Sequence, residues 1–410
     1  MTAQFQERSL QLTKQLSTEV KQAEGIFFTP KLARDALWES LPADFQPRII
    51  LEPSFGSGEF LDEARLRYPS AQLHGVEKHT PLYTSYPYRS TTLVNEDFLT
   101  YTGCDHSADL IIGNPPYFVI KDKNPLCMTG RPNIYVAFLY KCVTQHLSPN
   151  GILSFILPTS LLNSSYYEPM RKYIAEHMTV LACKRLEGQF LDTTQATFLL
   201  TLRNAPSNTN PPAFLLSYQT NWYLSEHADE LRELLASAST LSALGFTVKT
   251  GDVVWNQVRY IEQEDVQEKK GGCAIQEGTL TESSVDSVRL VYSHNLKEGT
   301  VDLAAPCRSP QKKPFIRGFT RAPVQAPAIL VNRGYGNSYK LQYGMIAKGP
   351  FYAENHVNVI VPTKPAALAH LPRVVKSLGD PRTVTFITHF VGNGGLSKTE
   401  LESVLPIFAV

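Results

Sequence analysis

Arg48-Ile49-Ile50-Leu51-Glu52-Pro53-Ser54-Phe55-Gly56-Ser57-Gly58 passes from an apolar run into a turn of small residues. A short apolar run bounded by turn-formers predicts a buried strand over 48–53, and a helix follows near Glu59–Tyr68. Small residues at such a strand-to-helix turn let the backbone approach a nucleotide-like ligand. The spacing is not the G-x-G-x-x-G of dinucleotide binders. By itself the turn is equally well an ordinary strand–helix connection.

Further strands are predicted over 72–77, 91–96, 108–113, 151–157 and 197–202, with an amphipathic helix over Ile134–Leu147. Strands alternating with helices imply a doubly wound α/β domain with a mostly parallel sheet. Beyond the loop-like stretch 204–212 and a helix near Glu226–Ala236, the pattern changes after Leu244. Short β-like runs separated by turns follow, at 253–255, 288–292, 328–331 and 357–361. Two domains are therefore expected, 1–243 and a mixed, β-rich 244–410, which also suits a length of 410 residues.

Composition narrows the classes. Apolar residues make up 43% and charged residues 19%, and no 18-residue apolar run is present, so a membrane span is not expected. The six cysteines lack C-x-x-C spacing and the ten histidines lack metal-ligand spacing, so neither a disulfide framework nor a metal site is expected. A reducing cytoplasm is the expected compartment. The net charge is only +1, yet 303–353 holds eight basic residues and no acidic one. Local basic footprints matter more than net charge for phosphate binding. Lys312, Lys313, Arg317, Arg321, Arg333 and Tyr335 are the candidate DNA contacts of that stretch, with Tyr343 and Tyr352 among its aromatics. A plain solvated basic surface is the competing reading.

The chemistry is carried by residues at successive strand ends. Glu52 precedes the glycine turn and offers a partner to a cationic group. Glu77 ends the second strand, about 20 residues on, where a carboxylate accepts from ribose hydroxyls. Asp97-Phe98 ends the third and suits an adenine ring, with an acceptor for its amino group and an apolar face. Asn114-Pro115-Pro116-Tyr117 follows the fourth. Prolines fix the backbone and remove N–H donors. The Asn114 side-chain oxygen and the Pro115 carbonyl are thereby left to accept from an aniline-like amino group, whose nitrogen becomes pyramidal and nucleophilic. Tyr117 is expected to stack on the base that carries it.

These residues make the chain resemble the gamma class of amino-group DNA methyltransferases of restriction–modification systems, over about residues 20–205. The resemblance implies S-adenosylmethionine as cofactor and N6 of adenine in duplex DNA as target, reached by base flipping. Gly25-Ile26-Phe27-Phe28-Thr29-Pro30 is similar to that family's N-terminal cofactor motif, which implies cofactor contacts at Phe28 and Thr29. The chain has Phe27-Phe28 where Phe-Tyr is common. Leu51–Gly58 resembles the main cofactor motif, with Glu52, Ser54, Gly56 and Gly58, and Glu77, Asp97 and Phe98 match the acid and adenine positions. Phe190, in Gln189-Phe190-Leu191, matches the phenylalanine that stacks on the flipped base. The C-terminal domain would read the target. A cognate restriction endonuclease, if present, is expected on another chain that need not bind this one, in a prokaryotic or viral setting. The same tetrapeptide chemistry leaves a protein glutamine amide or RNA open as substrates. Pro306-Cys307 resembles the nucleophile of cytosine carbon-5 enzymes but lies far from the cofactor motifs.

Overall fold

The computed structural model describes residues 5–87, 91–186, 195–255, 287–307, 309, 312–316, 319–334, 340–392 and 395–409. The chain divides into two compact units, Met1–Glu230 and Leu231–Val410.

The first unit is built on a seven-stranded sheet. Its strands are β1 (Ile49–Glu52), β2 (Gln72–Val76), β3 (Thr92–Val94), β4 (Ala108–Gly113), β5 (Leu147–Pro158), β6 (Thr179–Leu186) and β7 (Thr197–Arg203), in the order β3-β2-β1-β4-β5-β7-β6. The first five are parallel, and β7 runs antiparallel to both β5 and β6. Strand order reverses between β1 and β4, which pair through Ile50↔Leu110 and Leu51↔Ile111. A doubly wound sheet opens a crevice beyond the carboxyl ends of its strands at such a reversal.

Side-chain alternation explains why both faces are covered. On one face Leu51, Ile111 and Leu153 pack with Ile134, Phe138 and Leu139 of helix Ile134–Lys141. On the other, Ile50, Leu110 and Ile152 pack with Leu37 and Trp38 of helix Lys31–Glu39 and with Phe60, Leu61 and Ala64 of helix Glu59–Arg67. Two further helices, Glu7–Gln15 and Thr18–Glu24, precede these, and Thr80–Ser85 follows β2.

Three details depart from the sequence expectations. The helix expected over Ile134–Leu147 is α-helical only to Lys141. Cys142–His146 widens into a π turn, and Leu147 pairs with Ala108 at the start of β5, which draws the chain out of the helix. Strand β6 and the helices before residue 40 were not expected. In the second unit, Val253–Trp255 is no strand, and Val253 forms only an isolated bridge to Glu354.

The second unit contains an antiparallel sheet of Phe246–Thr250, Val357–Pro362, Ala328–Asn332 and Tyr343–Ile346, and a mixed sheet centred on Val288–Val291 and Pro350–Ala353. Val291, Leu330, Phe351 and Val359 are its apolar centre. Helices Leu371–Leu378, Pro381–Phe390 and Lys398–Ser403 close the chain. Ala238–Ser239 pairs with Ile407–Phe408, so residues placed before 244 by the change of sequence pattern sit in this unit. Among the described residues no helix is long and apolar enough to cross a membrane.

Candidate active site

A cavity of about 310 Å³ lies at the β1/β4 reversal of the first unit. That volume is within the range of small-molecule sites, roughly 300–1,000 Å³. Its walls come from the segments predicted at the strand ends: Ser54 and Gly56 after β1, Glu77 after β2, Asp97-Phe98 after β3, and Asn114 and Pro116 after β4. Gly25 to Phe28 complete it, with Ile134 and Phe138 from the following helix.

The polar groups of the cavity are set up for a ligand rich in donors and positive charge. Glu52 is 2% exposed, and among the described residues its Oε2 has no hydrogen-bond partner; Ser54 Oγ is likewise buried and unpaired. Burial, and then the neighbouring Glu77, push the Glu52 carboxyl well above the usual carboxylate range. Glu77 is also raised, by burial, although it accepts the backbone N–H of Gly56 at 2.9 Å and of His79 at 2.8 Å. Two buried carboxylates without a cation are costly, and an ammonium or sulfonium placed between them would relieve that cost. Gly56 has φ +54, and a Cβ built there meets nothing within 4 Å, so any side chain would enter the cavity. These features fit S-adenosylmethionine.

Asp97 and Phe98 form the far wall. Burial alone would raise the Asp97 carboxyl, but the Lys78 ammonium at 2.8 Å and the Leu99 N–H at 2.9 Å hold it below its ordinary value. The Phe98 ring lies 4.9 Å from Phe138 between centroids. The loop that carries both is pinned by Lys141, a residue the sequence did not single out. The buried Lys141 ammonium donates to the carbonyls of Phe98, Leu99 and Tyr101 at 2.8, 2.8 and 2.6 Å. Each carbonyl left without its donor costs roughly 1–3 kcal/mol. Lys141→Met is therefore expected to weaken binding of S-adenosylhomocysteine by about tenfold or more and to lower Tm. Calorimetric titration checks this, and unchanged affinity in a folded variant would remove the assignment.

The tetrapeptide lies across the crevice from these acids. Asn114 Nδ2 donates to the Phe27 carbonyl at 3.3 Å and to Thr29 Oγ1 at 3.1 Å. A carbonyl can only accept, so this contact decides which end of the amide is nitrogen. Asn114 Oδ1 receives the Tyr117 hydroxyl, which also lies 2.7 Å from the Ile156 carbonyl. The Tyr117 ring is 7% exposed, 6.1 Å from the near-parallel Phe27 ring and edge-on to Tyr135. It was expected to offer a face to a base; here the ring is packed between Phe27 and Tyr135. Gly25, quoted in its motif but not singled out, backs directly onto this segment.

Residues 58–187 match the Eco57I restriction-modification methylase family. The matched segment takes in β2 to β6 and the whole tetrapeptide. The type II methyltransferase M.CvrRI of Paramecium bursaria Chlorella virus XZ-6E is 28% identical over 416 positions, 98% of this chain and 99% of that protein. The modification methylase CviBIII of Paramecium bursaria Chlorella virus NC1A is 40% identical over 215 residues, 50% of this chain and 56% of that protein. Among solved structures, the N-methyltransferase NodS of Bradyrhizobium japonicum, in complex with S-adenosyl-L-homocysteine, is similar at 15% identity and a TM-score of 0.32, over 42% of this chain and 87% of NodS.

Three of the cofactor residues expected from the resemblance do not line the cavity. Gly58 caps the helix Glu59–Arg67 against the Tyr86 ring, and Thr29 turns its hydroxyl to Asn114. Glu52 lies beneath the wall rather than in it. Phe190 lies outside the described residues, as do Arg317 and Tyr335.

The remaining basic candidates, in the second unit, separate by environment. Lys312 is enclosed: its ammonium lies 4.8 Å from the Tyr292 ring centre, 5.2 Å from that of Trp255 and 3.7 Å from Glu354 Oε1. That corrects its expected role as a phosphate contact, because a half-buried ammonium already paired has little to offer a phosphate. The Lys313 carbonyl accepts the Tyr292 hydroxyl. Arg321 and Arg333 are exposed; the first pairs with Asp252, and the second donates to the Asn355 carbonyl at 2.9 Å. Tyr343 and Tyr352 are core residues, each 7% exposed, and cannot read bases from there.

Proposed function

We propose that this chain is a site-specific DNA methyltransferase that uses S-adenosylmethionine to methylate N6 of adenine in duplex DNA, as the modification activity of a restriction–modification system. The observation that carries the reading is the Asn114 carboxamide in the wall of the acidic cavity, with its nitrogen tied to Phe27 and Thr29 and its oxygen beside the Tyr117 hydroxyl. The kinship with type II methyltransferases supports the class of reaction and the polymer.

When bound, the cofactor supplies a methyl group on a sulfonium centre. The chain's part is positioning and electrostatics. Asn114 Oδ1 has a second lone pair beside the one engaged by Tyr117, and that lone pair accepts one N6–H of adenine. The Pro115 carbonyl accepts the other. Both contacts hold the amino nitrogen pyramidal, with its lone pair directed into the cavity, and one proton passes to solvent after transfer. Ser54, Gly56, Glu77, Asp97 and Phe98 would hold the cofactor, with Phe28 beside them, and Glu52 beneath the wall would add negative charge near its positive end. A paired adenine cannot reach this depth, so the base must be flipped out of the duplex, with Phe190 as its stacking partner. Residues 231–410 hold the duplex and read its sequence.

Incubation with duplex DNA and labelled S-adenosylmethionine, followed by nucleoside analysis, tests the proposal. N6-methyldeoxyadenosine at one short sequence is expected. Label in N4-methyldeoxycytidine, RNA or protein would overturn it. Binding to DNA is also expected to fall linearly with log salt, with a slope of about −0.9 per phosphate contact. A flat dependence between low and moderate salt would remove the phosphate-holding role from residues 231–410.

A further inference from the structure

We infer that Thr29 is a positioning residue for the Asn114 carboxamide and does not hold the cofactor. The inference rests on the reading of Asn114 as acceptor of the target amino group. An amide has two ends of opposite character and nearly identical shape. Rotated by half a turn, Asn114 would present an NH2 to the amino group it has to receive, donor against donor. Something must choose the orientation. The Phe27 carbonyl does so at 3.3 Å, a long contact, and the Thr29 hydroxyl reinforces it at 3.1 Å.

Thr29 is itself held. Its carbonyl accepts from Arg34, a guanidinium only 3% exposed that also pairs with Glu59 and with Glu63, the latter at 2.8 Å. Glu59 is bonded in turn to Ser9, whose hydroxyl lies 2.8 Å from Ser57 Oγ in the turn after β1. The helix that starts after Pro30 is thus tied to the glycine turn, and Thr29 is anchored where the two meet. Thr29 is 5% exposed and does not line the cavity, whereas Ile26, Phe27 and Phe28 do. Its Oγ1 accepts from Asn114 Nδ2.

The test compares Thr29→Val, which keeps the shape and loses the acceptor, with Thr29→Ser, which keeps the acceptor. The readouts are the single-turnover methyl-transfer rate at saturating DNA and cofactor, the Kd for S-adenosylhomocysteine, and Tm. The valine variant is expected to lose roughly three- to tenfold in rate, the net effect of one neutral hydrogen bond. Its Kd should stay within about twofold of wild type, and the serine variant should recover the rate. A weakened Kd with the rate retained would make Thr29 a cofactor ligand and overturn the inference. So would an unchanged rate in Thr29→Val, or a loss in Thr29→Ser as large as in Thr29→Val. If wild type itself transfers no methyl group to an amino nitrogen, the functional reading fails instead, and the two failures are separate observations.

Discussion

Asn114→Ala is expected to lower methyl transfer by about a hundredfold or more, the usual consequence of removing a preorganised polar group at a reacting centre. The Kd for S-adenosylhomocysteine should change by no more than about threefold, since the cavity's carboxylates and the Phe98 ring stay in place. Truncation leaves the Phe27 carbonyl and the Thr29 hydroxyl without their donor, while the Tyr117 hydroxyl keeps the Ile156 carbonyl as acceptor. Tm should fall by a few degrees, since the Thr29 oxygen is buried. Single-turnover transfer at saturating DNA, beside calorimetric titration of the cofactor product, separates rate from binding. Transfer near the wild-type rate would mean that the amino group is activated by something other than this amide.

The second large effect is expected at Gly25. Its φ of +65 is left-handed, and a Cβ there would lie 2.7 Å from the Tyr117 backbone nitrogen and 3.0 Å from both Pro116 Cβ and Phe118 Cδ1. A left-handed conformation alone costs an ordinary residue roughly 1–2 kcal/mol. Overpacking against backbone adds about 1–3 kcal/mol, because proline and peptide atoms cannot swing aside as a flexible side chain does. Gly25→Ala should therefore lower Tm by several degrees and cut transfer by about tenfold or more through displacement of Asn114–Tyr117. The Kd for the cofactor product should suffer too, since residues 25–28 line its cavity. A Gly25→Ala protein with wild-type Tm and rate would show that this close approach is dispensable.

The parts of the fold that could be read from the sequence are those where local pattern and tertiary role coincide. Strands β1, β4 and β7 are compact apolar runs next to turn residues, and such runs have few alternatives. The strand-end acids and the tetrapeptide were legible because each lies beside a turn that marks the carboxyl end of a strand. Strand β6 escaped because it is an edge strand, with Lys184 exposed and Arg185 half-buried interrupting its apolar face. The C-terminal helices escaped because their prolines, Pro372 and Pro381, sit in first turns, where proline is tolerated, and read as loop signals from sequence alone.

Lys141 and Gly25 show a different limit. A lysine at the end of a helix reads as a solvated terminus, and nothing local reveals three carbonyls 40 to 43 positions earlier in the chain. In the sequence Gly25 is only the first residue of the motif Gly25–Pro30; in the structure it also caps Thr18–Glu24. Its second duty depends on residues 116–118. Lys312 is the converse: a basic stretch looks available to phosphate until Trp255, Tyr292 and Glu354, all distant in sequence, are found around it.

The contact between Gly25 and Pro116-Tyr117 has a consequence for biosynthesis. The segment 25–30 leaves the ribosome well before Asn114, because its bonds to that residue span 85 and 87 residues. At usual elongation speeds it waits on the order of ten seconds for its partner to emerge. During that interval Phe27 and Phe28 have no crevice to line, and helix Lys31–Glu39 has no sheet to cover. The nascent chain therefore carries an exposed apolar segment over residues 25–39 until strand β4 and the tetrapeptide are out, and it cannot hold its cofactor before then.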